Sequence, residues 1–177
     1  MTPFSTRSAQ PVRGNRGFSF RGDHGFSLIE LLIVVAIILV IAAIAIPNFM
    51  RSRIAANETA CVANMRNVVT ANVVYSSTYG AGYSQTLAAL GPSGGALPSS
   101  AHAALIDDVL AAGTKSGYTY IYTPAPPDAS GSTPSYTLAG NPVTPGITGN
   151  RYFFTDDSGV IRQNISAAAT VSDTPID

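Results

Sequence analysis

Between Phe26 and Ile46 the chain reads FSLIELLIVVAIILVIAAIAI, 21 residues with one ionisable side chain, Glu30. At about 1.5 Å per residue a helix of that length spans roughly 30 Å, the thickness of a bilayer's hydrocarbon core. A run apolar on every side does not suit the surface helix of a soluble protein. Ahead of it stand Arg7, Arg13, Arg16 and Arg21 against Asp23 alone. By the positive-inside tendency this end stays in the cytoplasm and the C-terminal part is exported.

Two simpler readings compete. A secretory signal peptide would account for the basic start and for Ala43-Ile44-Ala45 as a small-residue cut site. The apolar run is longer than the usual ~7–15 residues, however, and contains a carboxylate. A plain single-span anchor gives no reason for Glu30, and an ionisable group within a span is costly enough to mark a function by default.

The formal net charge of zero conceals an asymmetry: residues 1–25 carry a net +3, residues 26–79 a net +1 and residues 80–177 a net −4. Charged residues make up 11% of the chain, against about a quarter in an ordinary globular protein. This argues against a cytosolic enzyme with a charged surface. It also argues against nucleic acid as a partner, because no basic face remains after Arg66. The single cysteine, Cys61, leaves no internal disulfide and no cysteine-based zinc site. His24 and His102 stand far apart without ligand spacing. There is no supported catalytic set and no phosphate-cradling glycine loop opening a helix. Neither enzyme activity, nor a cofactor, nor a metal is expected.

At the junction the sequence is Gly25-Phe26-Ser27-Leu28-Ile29-Glu30. A glycine, then Phe-Ser-Leu-Ile-Glu, then an unbroken apolar run with Pro47 after it resembles the N-terminus of type IV prepilins and type II secretion pseudopilins. The similarity is strong over about residues 25–60 and elsewhere concerns only the general layout. It implies that a prepilin peptidase cuts after Gly25 on the cytoplasmic face and methylates the new amine of Phe26. Glycine suits such a cut because a protease can approach its backbone closely. Where the family often has Lys or Arg before the glycine, this chain has His24. The resemblance also implies that Glu30 pairs with the Phe26 amine of a neighbouring subunit. A lone carboxylate among packed apolar helices would otherwise cost several kcal/mol.

Pro47 lacks an N–H and clashes with the preceding turn, so a kink is expected near residues 44–47. From Asn48 to about Tyr79 the pattern becomes amphipathic. Met50, Ile54, Cys61, Met65, Val68, Val69, Tyr75 and Tyr79 form one stripe at helical spacing. Ser52, Thr59, Arg66, Asn67, Thr70 and Ser77 lie mostly opposite. Cys61 reads as a buried, inert thiol. Phe49, Tyr75 and Tyr79 read as packing residues more readily than as an electron-conducting ladder.

Residues 80–177 hold twelve of the sixteen glycines and nine of the twelve prolines, so turns dominate. One helical turn is expected at Gln85–Leu90. Ser99 or Ser100 is expected to cap a short helix running to about Ala112 and stopped by Gly113. Four runs have strand character: Tyr118–Thr123, Ser135–Ala139, Arg151–Thr155 and Val160–Asn164. Asp156-Asp157-Ser158-Gly159 supplies a hairpin turn between the last two. Asp156 and Asp157 read as solvated turn residues more readily than as calcium ligands. Asn57-Glu58-Thr59 and Asn164-Ile165-Ser166 match the N-glycosylation triplet weakly.

The expected fold is α+β: a long N-terminal helix over residues 26–79, its second half packed against an antiparallel sheet of three to four strands. Four segments are expected: a leader, 1–25, removed on maturation; a transmembrane and filament-core helix, 26–47; the amphipathic half of that helix, 48–79; and an exported region, 80–177. The resemblance implies a structural subunit that forms a homo-oligomeric type IV pilus filament. Its partners would be the prepilin peptidase and methyltransferase, an inner-membrane assembly machinery, and membrane lipid before assembly. The alternatives are a type II secretion pseudopilin, whose short filament stays periplasmic, a minor tip or adhesive pilin, and an exported enzyme with a signal peptide.

Overall fold

The computed structural model describes residues 25–95 and 97–176. Of the expected leader, residues 1–25, all but Gly25 lies outside the described residues, His24 included. Helix α1 runs from Leu28 to Tyr79 with Pro47 inside it. The chain divides into two compact units, one ending at Ala42 and one beginning at Ala43. In the first unit every described side chain from Phe26 to Ile41 is exposed. The segment is long and apolar enough to cross a membrane.

The second unit contains the remainder of α1, a 3₁₀ turn at Leu87–Leu90, a one-turn helix α2 at Asp108–Ala111, and six strands. The strands are β1 (Thr114–Lys115), β2 (Tyr118–Pro124), β3 (Tyr136–Pro142), β4 (Tyr152–Asp156), β5 (Arg162–Asn164) and β6 (Thr174–Pro175). They form one antiparallel sheet in chain order. The alternation expected of β2 is present: Tyr118 and Tyr120 are buried and Ile121 is exposed. Register then places Tyr120 beside Gly140, and Gly140 beside Phe153. One face of the three central strands thereby meets Cys61, Met65, Val68 and Tyr75 of α1 in a single core.

Gly140 sets how closely sheet and helix approach. A Cβ there would stand 2.8 Å from Cys61 Sγ and 3.3 Å from Met65 Sδ, so a side chain would force the layers apart. The expected turn between β4 and β5 closes with Gly159 N–H donating to Asp156 O at 3.0 Å, and Gly159 takes the left-handed conformation at φ +74°.

The structure corrects the sequence reading in two places. The sheet has six strands instead of three to four, because two-residue strands flank the four expected ones at the edges. The helix expected from Ser99 or Ser100 to Ala112 is only Asp108–Ala111, capped by Asp107 Oδ1, which accepts from Leu110 N–H at 3.0 Å. Upstream the backbone bonds sideways instead of along itself. Ala103 N–H donates to Ala89 O, Leu105 N–H to Leu90 O, and Ala104 stands at φ +55°. These bonds occupy the groups that a helix would need.

The buried stripe of α1 is also more polar than its periodicity suggests, since it includes Glu58, Asn64 and Asn72. Each has a long-range partner. Asn64 Nδ2 donates to the Tyr120 hydroxyl at 3.0 Å. Asn72 Oδ1 accepts from the Ser84 N–H and hydroxyl and from the Tyr122 hydroxyl. Glu58, 6% exposed, accepts from Asn150 N–H at 2.8 Å and pairs with Arg151 Nε at 2.7 Å. One residue earlier, Asn57 Nδ2 donates to Thr148 O at 2.8 Å. Together these contacts clamp α1 onto the loop preceding β4.

Burial alone would raise the Glu58 pKa, but the hydrogen bonds and the Arg151 charge outweigh it and hold it below the ordinary value of 4.5. A depressed carboxyl stabilises the fold fully above its unfolded pKa, and that contribution is lost as pH falls through the folded one. Glu58→Ala should therefore lower stability by about 2–4 kcal/mol at neutral pH. The lower half of that range is favoured because the Arg151 side chain is 37% exposed. The deficit should shrink below about pH 4, as urea titrations at a series of pH values would show.

Candidate processing and assembly site

Gly25 is exposed, and a Cβ added to it would meet nothing within 4 Å. No packing in the described structure therefore requires glycine at this position. Phe26 is 82% exposed and belongs to no core cluster. The peptide bond between the two is open to approach from outside.

Ser27 precedes the first residue of α1, and its carbonyl accepts from Leu31 N–H at 3.2 Å. Glu30, the third residue of the helix, turns back so that Oε2 accepts from Ser27 N–H at 2.8 Å. This is one half of a capping box, in which an acid at the third helical position satisfies an orphan donor at the cap. The spacing Ser27-x-x-Glu30 carries that signature. Reading Glu30 only as an acid within an apolar run passes over it. The carboxylate thus sits at the positive end of the helix dipole, one residue from the position of a Phe26 amine.

Pro47 lies within α1, far from this cluster in sequence, and withholds the donor that Ala43 O would otherwise receive. Thus Gly25, Phe26 and Glu30 stand together at the head of the helix, while Pro47 marks the passage from the apolar to the amphipathic part. Phe49 is exposed and separate from Tyr75 and Tyr79, whose rings lie 4.9 Å apart. The Cys61 thiol, fully buried, is pushed up to about 12, chiefly by desolvation. Among the described residues no group of three or more His, Cys, Asp or Glu side chains is placed to hold a metal ion.

Residues 20–46 match the prokaryotic N-terminal methylation motif. The chain is 46% identical over 55 residues to the type IV wide pilus major component PilA4 of Thermus thermophilus, covering 31% of this chain and 42% of that protein. It is 47% identical over 49 residues to the type IV major pilin protein PilA of Myxococcus xanthus, covering 28% of this chain and 22% of that one. The chain thus spans less than half the length of either relative. No solved structure matches it. The open Gly25–Phe26 bond, the acid at the helix head and the apolar run behind it all lie within the stretch that matches the N-terminal methylation motif.

Proposed function

We propose that this chain is a structural subunit of a type IV pilus. The observation that carries the reading is the apolar part of α1, exposed residue after residue and headed by the Gly25–Glu30 motif. At about 1.5–3 kcal/mol per large apolar side chain, such a surface cannot stand in water, so only lipid or other subunits can cover it. A helix retained after maturation passes from the membrane directly into a filament. A helix removed with a signal peptide would leave Glu30 and the methylation motif without purpose.

In this reading residues 1–25 are a leader cut after Gly25, and Phe26 becomes the methylated terminus. Residues 26–47 anchor the precursor in the inner membrane and then pack in the filament core. Residues 48–79 carry the exported region, 80–177, on the filament surface. Pro47 lets the helix loosen as it enters the filament. The partners are further copies of the chain, the prepilin peptidase and methyltransferase, and the assembly machinery of the inner membrane. The role is structural and not enzymatic. That both relatives are named as major pilus components favours a pilus subunit over a pseudopilin or a minor tip pilin.

Mass spectrometry of the mature protein should find N-methyl-phenylalanine at position 26, and electron microscopy of sheared surface material should find fibres made of this chain. A mature N-terminus at Ile46, after the Ala43-Ile44-Ala45 cut site, would refute the reading.

A further inference from the structure

The face of α1 that the sheet leaves uncovered has a definite composition. Positions 59, 63, 66, 70, 73 and 77 recur at helical spacing, and all are exposed. They are Thr, Ala, Arg, Thr, Val and Ser, so Arg66 is the one charge on a stripe of small and β-branched side chains. Val73 and Val74, side by side on this face, are 56% and 40% exposed. The Arg66 carbonyl accepts from the Thr70 hydroxyl within α1, but its guanidinium forms no hydrogen bond or ion pair among the described residues. Lipid does not supply its partner, because it stands 20 residues past Ile46, about 30 Å along the helix and beyond the reach of headgroups.

The described acids are otherwise engaged. Glu30, Glu58, Asp107, Asp108, Asp128, Asp156 and Asp173 each accept at least one hydrogen bond. Asp157 accepts none and makes no ion pair, and it is exposed on the turn between β4 and β5. That turn is fixed by the bond from Gly159 to Asp156, so the Asp157 carboxylate is presented on a rigid support.

Resting on the filament reading, we propose that the uncovered face of α1 is an interface with a second copy of this chain, in which Arg66 of one copy pairs with Asp157 of the other. Helices that pack side by side bury this face. An arginine buried there without an acid is strongly unfavourable, whereas a single matched pair fixes one register between subunits. The complementarity is consistent with the wider division of charge, positive on α1 and negative on residues 80–177.

The test uses two full-length chains expressed together, one carrying Arg66→Cys and the other Asp157→Cys. Cys61 is fully buried and does not compete for disulfide formation. Oxidised fibres should contain a disulfide-linked dimer that requires both chains. Arg66→Glu should reduce fibre yield at least tenfold while the precursor remains abundant in the membrane and as protease-resistant as the parent. Adding Asp157→Lys to the same chain should restore it. Parent-like fibres from Arg66→Ala, fibres without a mixed dimer, or a disulfide that forms only within a chain carrying both cysteines would each overturn this interface and leave the filament reading standing. If the unaltered chain forms no fibre, the filament reading falls and this interface falls with it.

Discussion

Glu30→Ala should abolish fibres while leaving the precursor in the membrane and its second unit folded. Glu30 lies far in sequence from the core of that unit, and its side chain accepts from Ser27 N–H in its own first turn. Losing that cap would cost about 0.5–2 kcal/mol of helix stability, too little to unfold a long helix held by lipid. Losing the carboxylate in a filament core is larger. A Phe26 amine buried without its partner costs about 3–5 kcal/mol per contact, two or more orders of magnitude in an association constant. Glu30→Gln separates the two roles. A glutamine oxygen still accepts from Ser27 N–H, yet it carries no charge to match the amine. If charge pairing is the function, both variants should lose at least tenfold in sheared fibre yield, with Gln no better than Ala. Parent-like yield from Gln would reduce Glu30 to a helix cap.

What was legible in the sequence is what depends on neighbours in the chain. The apolar run, the period-two strands and the Asp156–Gly159 turn are local patterns, and the structure has the helix, strands and turn they predict. The exposed set Ser52, Thr59, Arg66, Asn67, Thr70 and Ser77 follows from helical spacing in the same way. The polar members of the buried stripe do not. Asn64 finds Tyr120 across 56 positions, and Glu58 finds Asn150 across 92. Without those partners a glutamate or asparagine on a helix reads as solvated. The short edge strands were equally hidden, since two residues carry no period. The segment 99–107 misled for a further reason. A serine cap and a final glycine are necessary for a helix but not sufficient when the backbone has a better partner alongside.

Phe153→Ala should be among the most destabilising single substitutions in the second unit, for reasons that combine these local and distant terms. The side chain, that of the second residue of β4, is fully buried. It packs against Tyr118 with ring centroids 5.8 Å apart, and the Arg151 guanidinium lies 5.5 Å from its own ring centroid. Its cross-strand neighbour is Gly140, which has no side chain to move into a vacancy, and Gly140 itself lies against Cys61 and Met65 of α1. A cavity at this point therefore cannot collapse from the β3 side. Truncating a buried Phe to Ala costs about 3–5 kcal/mol, with the upper end applying where the site cannot relax. That is a large share of the ~5–15 kcal/mol that holds a domain together. Phe153→Leu keeps most of the volume and should cost about 1–1.5 kcal/mol. Urea unfolding of the mature chain in detergent, followed by tyrosine fluorescence, should rank parent, Leu and Ala in that order. The Ala chain should also be cleared from the membrane before it can assemble, so its fibre yield should fall although no contact between subunits has changed. A Phe153→Ala midpoint equal to that of the parent would mean that the helix and sheet do not share the core described above.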